Sequence, residues 1–175
     1  MKTIRFILMV ATVFVVASCG STKITRSPIE ELSLAVGTNE IRAYGSAESP
    51  SEQLAYNAAR AQATAALQEK IETYVIYGLD NYESNAKVAL EEPERNQVIT
   101  ATKGVINGVS VLDTRILYNP NTKMYKYEVC VTYDREGILS AMQAQSDIII
   151  ANEEQFEQSM QQAWDELDAK NNTNK

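Results

Sequence analysis

Few residues of this chain bear reactive groups, and their spacing narrows the chemistry they can do. Carboxylates occur as adjacent pairs, Glu91-Glu92, Glu153-Glu154 and Asp165-Glu166. General acid–base work needs two carboxyls converging on one cleft, often with one of them desolvated. Neighbours on a helix point in different directions, so these pairs read as solvated surface. There is no histidine, which removes His-based triads, His metal sites and the usual general base near neutral pH. The two cysteines, Cys19 and Cys130, are too few for a thiolate zinc site. Gly104 and Gly108 lack the spacing of a phosphate-cradling loop. No catalysis, no cofactor and no metal are expected.

Cys19 is the residue whose neighbours specify a reaction. Lys2 and Arg5 precede an apolar run from Phe6 to Ala17, which is too short to cross a bilayer as an ordinary helix. The run ends in Val16-Ala17-Ser18-Cys19. An aliphatic residue and two small ones suit a peptidase cleft, and the thiol after them is an acyl acceptor, which is the pattern of a bacterial lipoprotein signal. The competing reading is an ordinary secretory leader with a cysteine beside its cleavage site.

On the lipoprotein reading residues 1–18 are removed, Cys19 becomes the first residue, and two or three acyl chains of the palmitate kind anchor the protein. A single chain would hold it only marginally. Lys2 and Arg5 leave with the leader, so the formal charge falls from -7 to -9. Nucleic acid and anionic lipid favour basic surfaces, so neither is an expected ligand of the body. With Cys19 lipidated, Cys130 has no disulfide partner and reads as a small buried hydrophobe. Residues 20–23 include no acid. By resemblance to the rule in which acids after the lipidated cysteine redirect sorting, the expected location is the outer membrane, facing the periplasm.

The remaining candidates are surfaces rather than reactive groups. Tyr125 and Tyr127 share a strand face with Val129, Val131 and Tyr133, and Tyr44 lies on another strand. Aromatic packing across strands is the usual meaning of such a stripe, and a ligand-stacking surface the sharper one. Phe156 and Trp164 lie on one helical face with Ile149, Met160, Ala163 and Leu167. That face packs either on the body or on another copy. Tyr44, Tyr125, Tyr127, Phe156 and Trp164 are therefore the candidate ligand or partner surface.

The elements that would position these residues follow from the patterning. Residues 19–36, polar and broken by Pro28, read as a tether, with one turn of helix allowed near Glu30. Ile41 to Ala47 alternate as a strand. Ser49-Pro50-Ser51-Glu52 reads as a capping box with Ser49 as N-cap, opening an alanine-rich helix. Its inner face is expected to carry Leu54, Ala58, Ala61, Ala65, Leu67, Ile71, Tyr74 and Val75, with Gly45 as a contact point and Gly78 as the stop. From Asp80 to Lys103 the chain is helical but interrupted at Pro93, with a second short helix joining Val98, Ala101 and Val105. After a turn at Asn107-Gly108, Val109–Tyr118 and Met124–Tyr133 form a hairpin. Asp134 caps a helical region that runs to about Asp168, in two pieces around Ser146-Asp147. The expected class is α+β, a long helix on a small, mainly antiparallel sheet. Residues 37–145 form the domain, and residues 146–175 a C-terminal amphipathic helix with a frayed tail.

Ala43-Tyr44-Gly45-Ser46-Ala47, the helix from Ala55 through Ala63 to Ile71, and the strand from Tyr125 to Val131 together resemble the Lpp-twenty family of small bacterial lipoproteins. Its domain is also similar to parts of flagellar outer-membrane ring and accessory proteins. The resemblance covers about Ile41 to Tyr133. It implies a compact α+β body on a lipid-anchored envelope protein and supplies no catalytic residues. The expected role is structural or protein-binding, as an assembly or scaffold component that self-associates or holds a protein partner. The alternative is a periplasmic small-ligand or peptidoglycan-binding protein, with a pocket between Tyr44, Tyr125 and residues 80–103.

Overall fold

The computed structural model describes residues 26–34, 39–87, 89–104, 108–144 and 153–173. The signal segment with Cys19, along with Val88, Val105, Asn107, Ser146, Asp147 and Ile149, lies outside them. In chain order the elements are α1 (Pro28–Ser33), β1 (Glu40–Ser49), α2 (Glu52–Ala86), α3 (Glu92–Gly104), β2 (Ser110–Asn119), β3 (Met124–Asp134), α4 (Arg135–Gln143) and α5 (Glu153–Thr173). The three strands form one antiparallel sheet in the order β1-β3-β2. This is an α+β fold with a long helix on a small antiparallel sheet and a helix at its C-terminal end.

The long helix is about 52 Å from end to end at the α-helical rise, and its two halves do different work. Ala55, Ala59, Ala63 and Leu67 face the sheet, where small side chains let the backbones close. A Cβ on Gly45 of β1 would stand 2.4 Å from the Ala59 carbonyl oxygen and 2.4 Å from the Ala63 amide nitrogen, so the expected contact point is real. The expected face holds from Leu67 onward, with Ile71, Tyr74 and Val75 buried, but its first half does not. Leu54 is 62% exposed, and Ala58, Ala61 and Ala65 point to solvent. In so uniform a run of alanine, hydrophobic periodicity carries no phase, and the Gly45 contact sets it instead.

Both helix ends also differ from expectation. β1 runs on to Ser49, so α2 starts with Ser51 at the N-cap, and Ser49 Oγ accepts the Ser51 amide at 3.2 Å. At the other end Gly78 is no stop. The helix continues to Ala86 and closes at Lys87, whose φ is 53°. Gly78 is buried inside the helix because Met160 occupies its side-chain space, with Sδ 2.0 Å from where a Cβ would be.

The second half of α2, with Ile71, Tyr74, Val75, Leu79 and Tyr82, packs against α5 and α3. The expected interruption and second short helix are present: α2 ends at Ala86 and α3 begins at Glu92, with Pro93 in its first turn, where a missing amide costs nothing. Arg95 of α3 clamps Asp80 and Glu83 of α2, and Glu83 also takes the Leu90 amide at 3.0 Å. Asp134 stands at the N-cap of α4 as expected, without a side-chain bond to its turn. Phe156, Met160 and Ala163 of α5 join the same core as Ile41, Val129 and Val131. Part of the expected tether is ordered structure: α1, capped by Ser27, which takes the Glu30 amide at 3.1 Å, packs on the strands.

Candidate functional site

Of the five expected surface residues, two face inward. Phe156 is fully buried with its ring edge-on to Tyr82 at 5.7 Å. Trp164, half-buried, stands edge-on to Tyr74 at 5.5 Å and carries the Arg135 guanidinium over its ring at 5.2 Å. The stripe of α5 is thus spent within the chain. Arg135 also donates to the Tyr74 hydroxyl at 3.0 Å. Burial raises the Tyr74 pKa, and the guanidinium opposes that rise.

The tyrosines do not share one pocket. Tyr127 faces α2, where it stacks edge-on against Tyr56 at 5.5 Å and donates to Glu52 at 2.9 Å. Tyr125 lies on that same face against Tyr118, with ring centroids 4.8 Å apart. Tyr44 pairs with Cys130 and so belongs to the opposite face. There it lines a groove under α1 with Arg26, Ser27, Arg115, Lys126 and Glu128. Among the described residues no cleft joins Tyr44, Tyr125 and residues 80–103, because the sheet lies between the tyrosines.

Two residues near the sheet were not singled out by the sequence pattern, Glu128 on that second face and Lys70 on α2 at the free side of β1. Glu128 is buried with Lys126 Nζ 3.2 Å from Oε1 and Arg115 3.8 Å from Oε2, which has no hydrogen-bond donor among the described residues. The Lys126 pKa is raised chiefly by its hydrogen bond to Glu128. Lys70 of α2 donates to the Arg42 carbonyl of β1 at 2.7 Å, and desolvation lowers its pKa. It lines a groove of about 320 Å³ at the free side of β1 with Ser33, Arg42, Ala66, Trp164 and Leu167. Alternation patterns do not predict a long cation folded onto a backbone carbonyl.

Cys130 is fully buried, and burial raises its thiol pKa, which matches the hydrophobe reading. The paired carboxylates Glu91-Glu92 and Glu153-Glu154 are all exposed, as is Asp165.

The feature with the plainest capacity for contact is β2. All ten of its residues are exposed. Of the six exposed large hydrophobic residues among those described, five lie on this strand: Val111, Leu112, Ile116, Leu117 and Tyr118. One side of β2 is paired to β3, with a register shift between Val111 and Asp113. α2 packs on β1 and β3, and α1 also touches β2. The outer edge of β2 offers backbone groups and apolar side chains together, which is what strand addition requires. The sequence signal was present as a hairpin strand with apolar residues at both parities, but it reads equally well as a strand buried on both faces. No family model, curated protein or solved structure matches the chain.

Proposed function

We propose that this is a lipid-anchored bacterial envelope protein with a non-catalytic structural or protein-binding role, and that it makes its contacts through the open edge of β2. One observation carries the reading: a whole strand lies exposed with five large apolar side chains, and among the described residues Leu54 is the one other large hydrophobic left exposed. Exposed apolar groups on an unpaired edge are a liability unless another chain covers them. The Val16-Ala17-Ser18-Cys19 motif supports the anchor, and the acid-free residues 20–23 support the periplasmic face of the outer membrane. The likeness to Lpp-twenty envelope lipoproteins points the same way.

The test is a photo-crosslinking amino acid at Leu117 in living cells, beside one at exposed Gln68 on α2. A discrete protein adduct at Leu117 and none at Gln68 is the expected result. Absence of any adduct at Leu117 would overturn the reading.

A second reading, small-ligand or peptidoglycan-fragment binding, is favoured by the groove beside β1, where desolvated Lys70 stands near Trp164. Trp164 is the only tryptophan, so its emission reports directly on that groove. Titration with soluble muropeptides should shift the emission saturably, and Lys70→Met should abolish the shift. An unchanged spectrum removes this reading.

A further inference from the structure

The open edge of β2 is chemically self-complementary. We propose that its partner is β2 of a second copy, paired antiparallel about a two-fold axis at Thr114, so that two three-stranded sheets become one of six. This rests on the preceding reading of β2 as the contact surface and names its occupant.

The register follows from the side chains. A two-fold axis perpendicular to a sheet sets each residue opposite one on the same face, so it must pass beside a residue and not between two. An axis at Asp113 or at Arg115 would set like charges directly against each other, which is destabilising. An axis at Ile116 would put Arg115 against Leu117. At Thr114 every central pair matches: Leu112 opposes Ile116 of the second copy, Asp113 opposes Arg115, and Thr114 opposes itself, with the first two pairs occurring twice. The strand reads Leu-Asp-Thr-Arg-Ile from 112 to 116, a palindrome by chemical type.

The side chains this pairing needs are exposed, while the Thr114 amide at the axis is held by Asp113 and has to be released. Asp113 and Arg115 are exposed. The Arg115 guanidinium stands 3.8 Å from Glu128, too far for a hydrogen bond, so its donors are not spent there. Asp113 takes the Thr114 amide on one oxygen at 2.7 Å. The register shift between Val111 and Asp113 bends the strand at the end of the palindrome and bounds its straight part.

The same axis preserves faces, so both α2 helices share one face of the joined sheet and both α1 helices the other. Arg26, just before α1, thus lies on the same side in both copies, as two chains anchored in one membrane require.

The experiment uses the full lipidated protein in nonionic detergent, with Thr114→Cys oxidised by copper phenanthroline. Cys130 is buried and Cys19 is acylated on this reading, so the introduced thiol is the one that reacts. Opposed residues of an antiparallel pair have Cα atoms about 4.5–5.5 Å apart, within disulfide reach. Thr114→Cys should double the mass on a non-reducing gel. Leu112→Cys and Ile116→Cys should each fail alone and cross-link when mixed, and Gln68→Cys should stay single. In light scattering Asp113→Lys should halve the mass, with helical circular dichroism unchanged. A monomeric wild type whose Thr114→Cys cross-links no faster than Gln68→Cys overturns the proposal. If Leu117 then still yields an adduct with another protein in cells, the occupant was wrong and the contact surface stands. If Leu117 yields none, both fall.

Discussion

The sheet has two outer strands, β1 and β2, and the chain treats them in opposite ways. Beside β1, Lys70 reaches over to the Arg42 carbonyl, and residues of α1, α2 and α5 wall the groove. Beside β2 nothing of the kind occurs among the described residues. Natural sheets blunt exposed edges with lysine, proline, bulges or a covering helix. Here the cover was brought to β1 from the far end of the chain, while β2 has only a bulge and one pair of opposite charges. The contrast teaches that an edge finished inside the chain is part of the fold, and an edge left apolar on both faces is an invitation.

Substitutions on the two sides should therefore differ in what they damage. Gly45→Val on β1 forces a side chain into the Ala59 and Ala63 backbone, which cannot yield. It should cost about 3 kcal/mol in urea unfolding, and a stable Gly45→Val would mean that α2 can lift from the sheet. Next comes Trp164→Ala, which opens the wall of the β1 groove. For a half-buried indole about 2 kcal/mol is expected, less than for a fully buried one.

Lys70→Met should cost about 1 kcal/mol near neutral pH by removing the bond to Arg42. Its deficit should widen towards about pH 10. The folded Lys70 pKa lies below the ordinary 10.5, so the unfolded chain binds more protons in that window and stability gains as pH rises. The neutral amine keeps its hydrogen bond and sheds its desolvation cost, and Met cannot share that gain. A deficit that narrows with pH would contradict the desolvated lysine. Smallest of all, Ile116→Thr and Leu117→Thr should change the unfolding free energy of the monomer by less than about 0.5 kcal/mol, while still removing the β2 contact. If either costs as much as Trp164→Ala, β2 is no open edge and the comparison collapses.

How much of this was legible depended on what each residue type can signal. The hairpin was readable because β-branched and aromatic residues flank Asn119 and Pro120, and Asn119 Oδ1 does take the Asn121 amide at 3.0 Å. The alanine face of α2 was not, since seven alanines from Ala55 to Ala66, spread around the helix, hide which side is inside. Gly78 was misread as a stop because a glycine making room for a neighbour looks the same in sequence as a glycine ending a helix. The α5 stripe was visible, but whether its target was at home or in another molecule depends on tertiary packing. Lys70 left no pattern at all, because its role comes from a contact distant in sequence, and the burial of Glu128 depends on α1 and β2 packing around it. The bareness of β2 is likewise a property of what fails to cover it.

Met160 and Gly78 carry a last consequence, in the currency of oxidative damage. The thioether sits fully buried in a notch made by a missing side chain. An oxidant reaches it only when α5 swings away from α2. Sulfoxide formation makes the group larger and polar, and a notch sized for sulfur alone then refuses it. Oxidation of Met160 would therefore require the α2–α5 contact to open, and a sulfoxide formed there would oppose its closing until it was reduced.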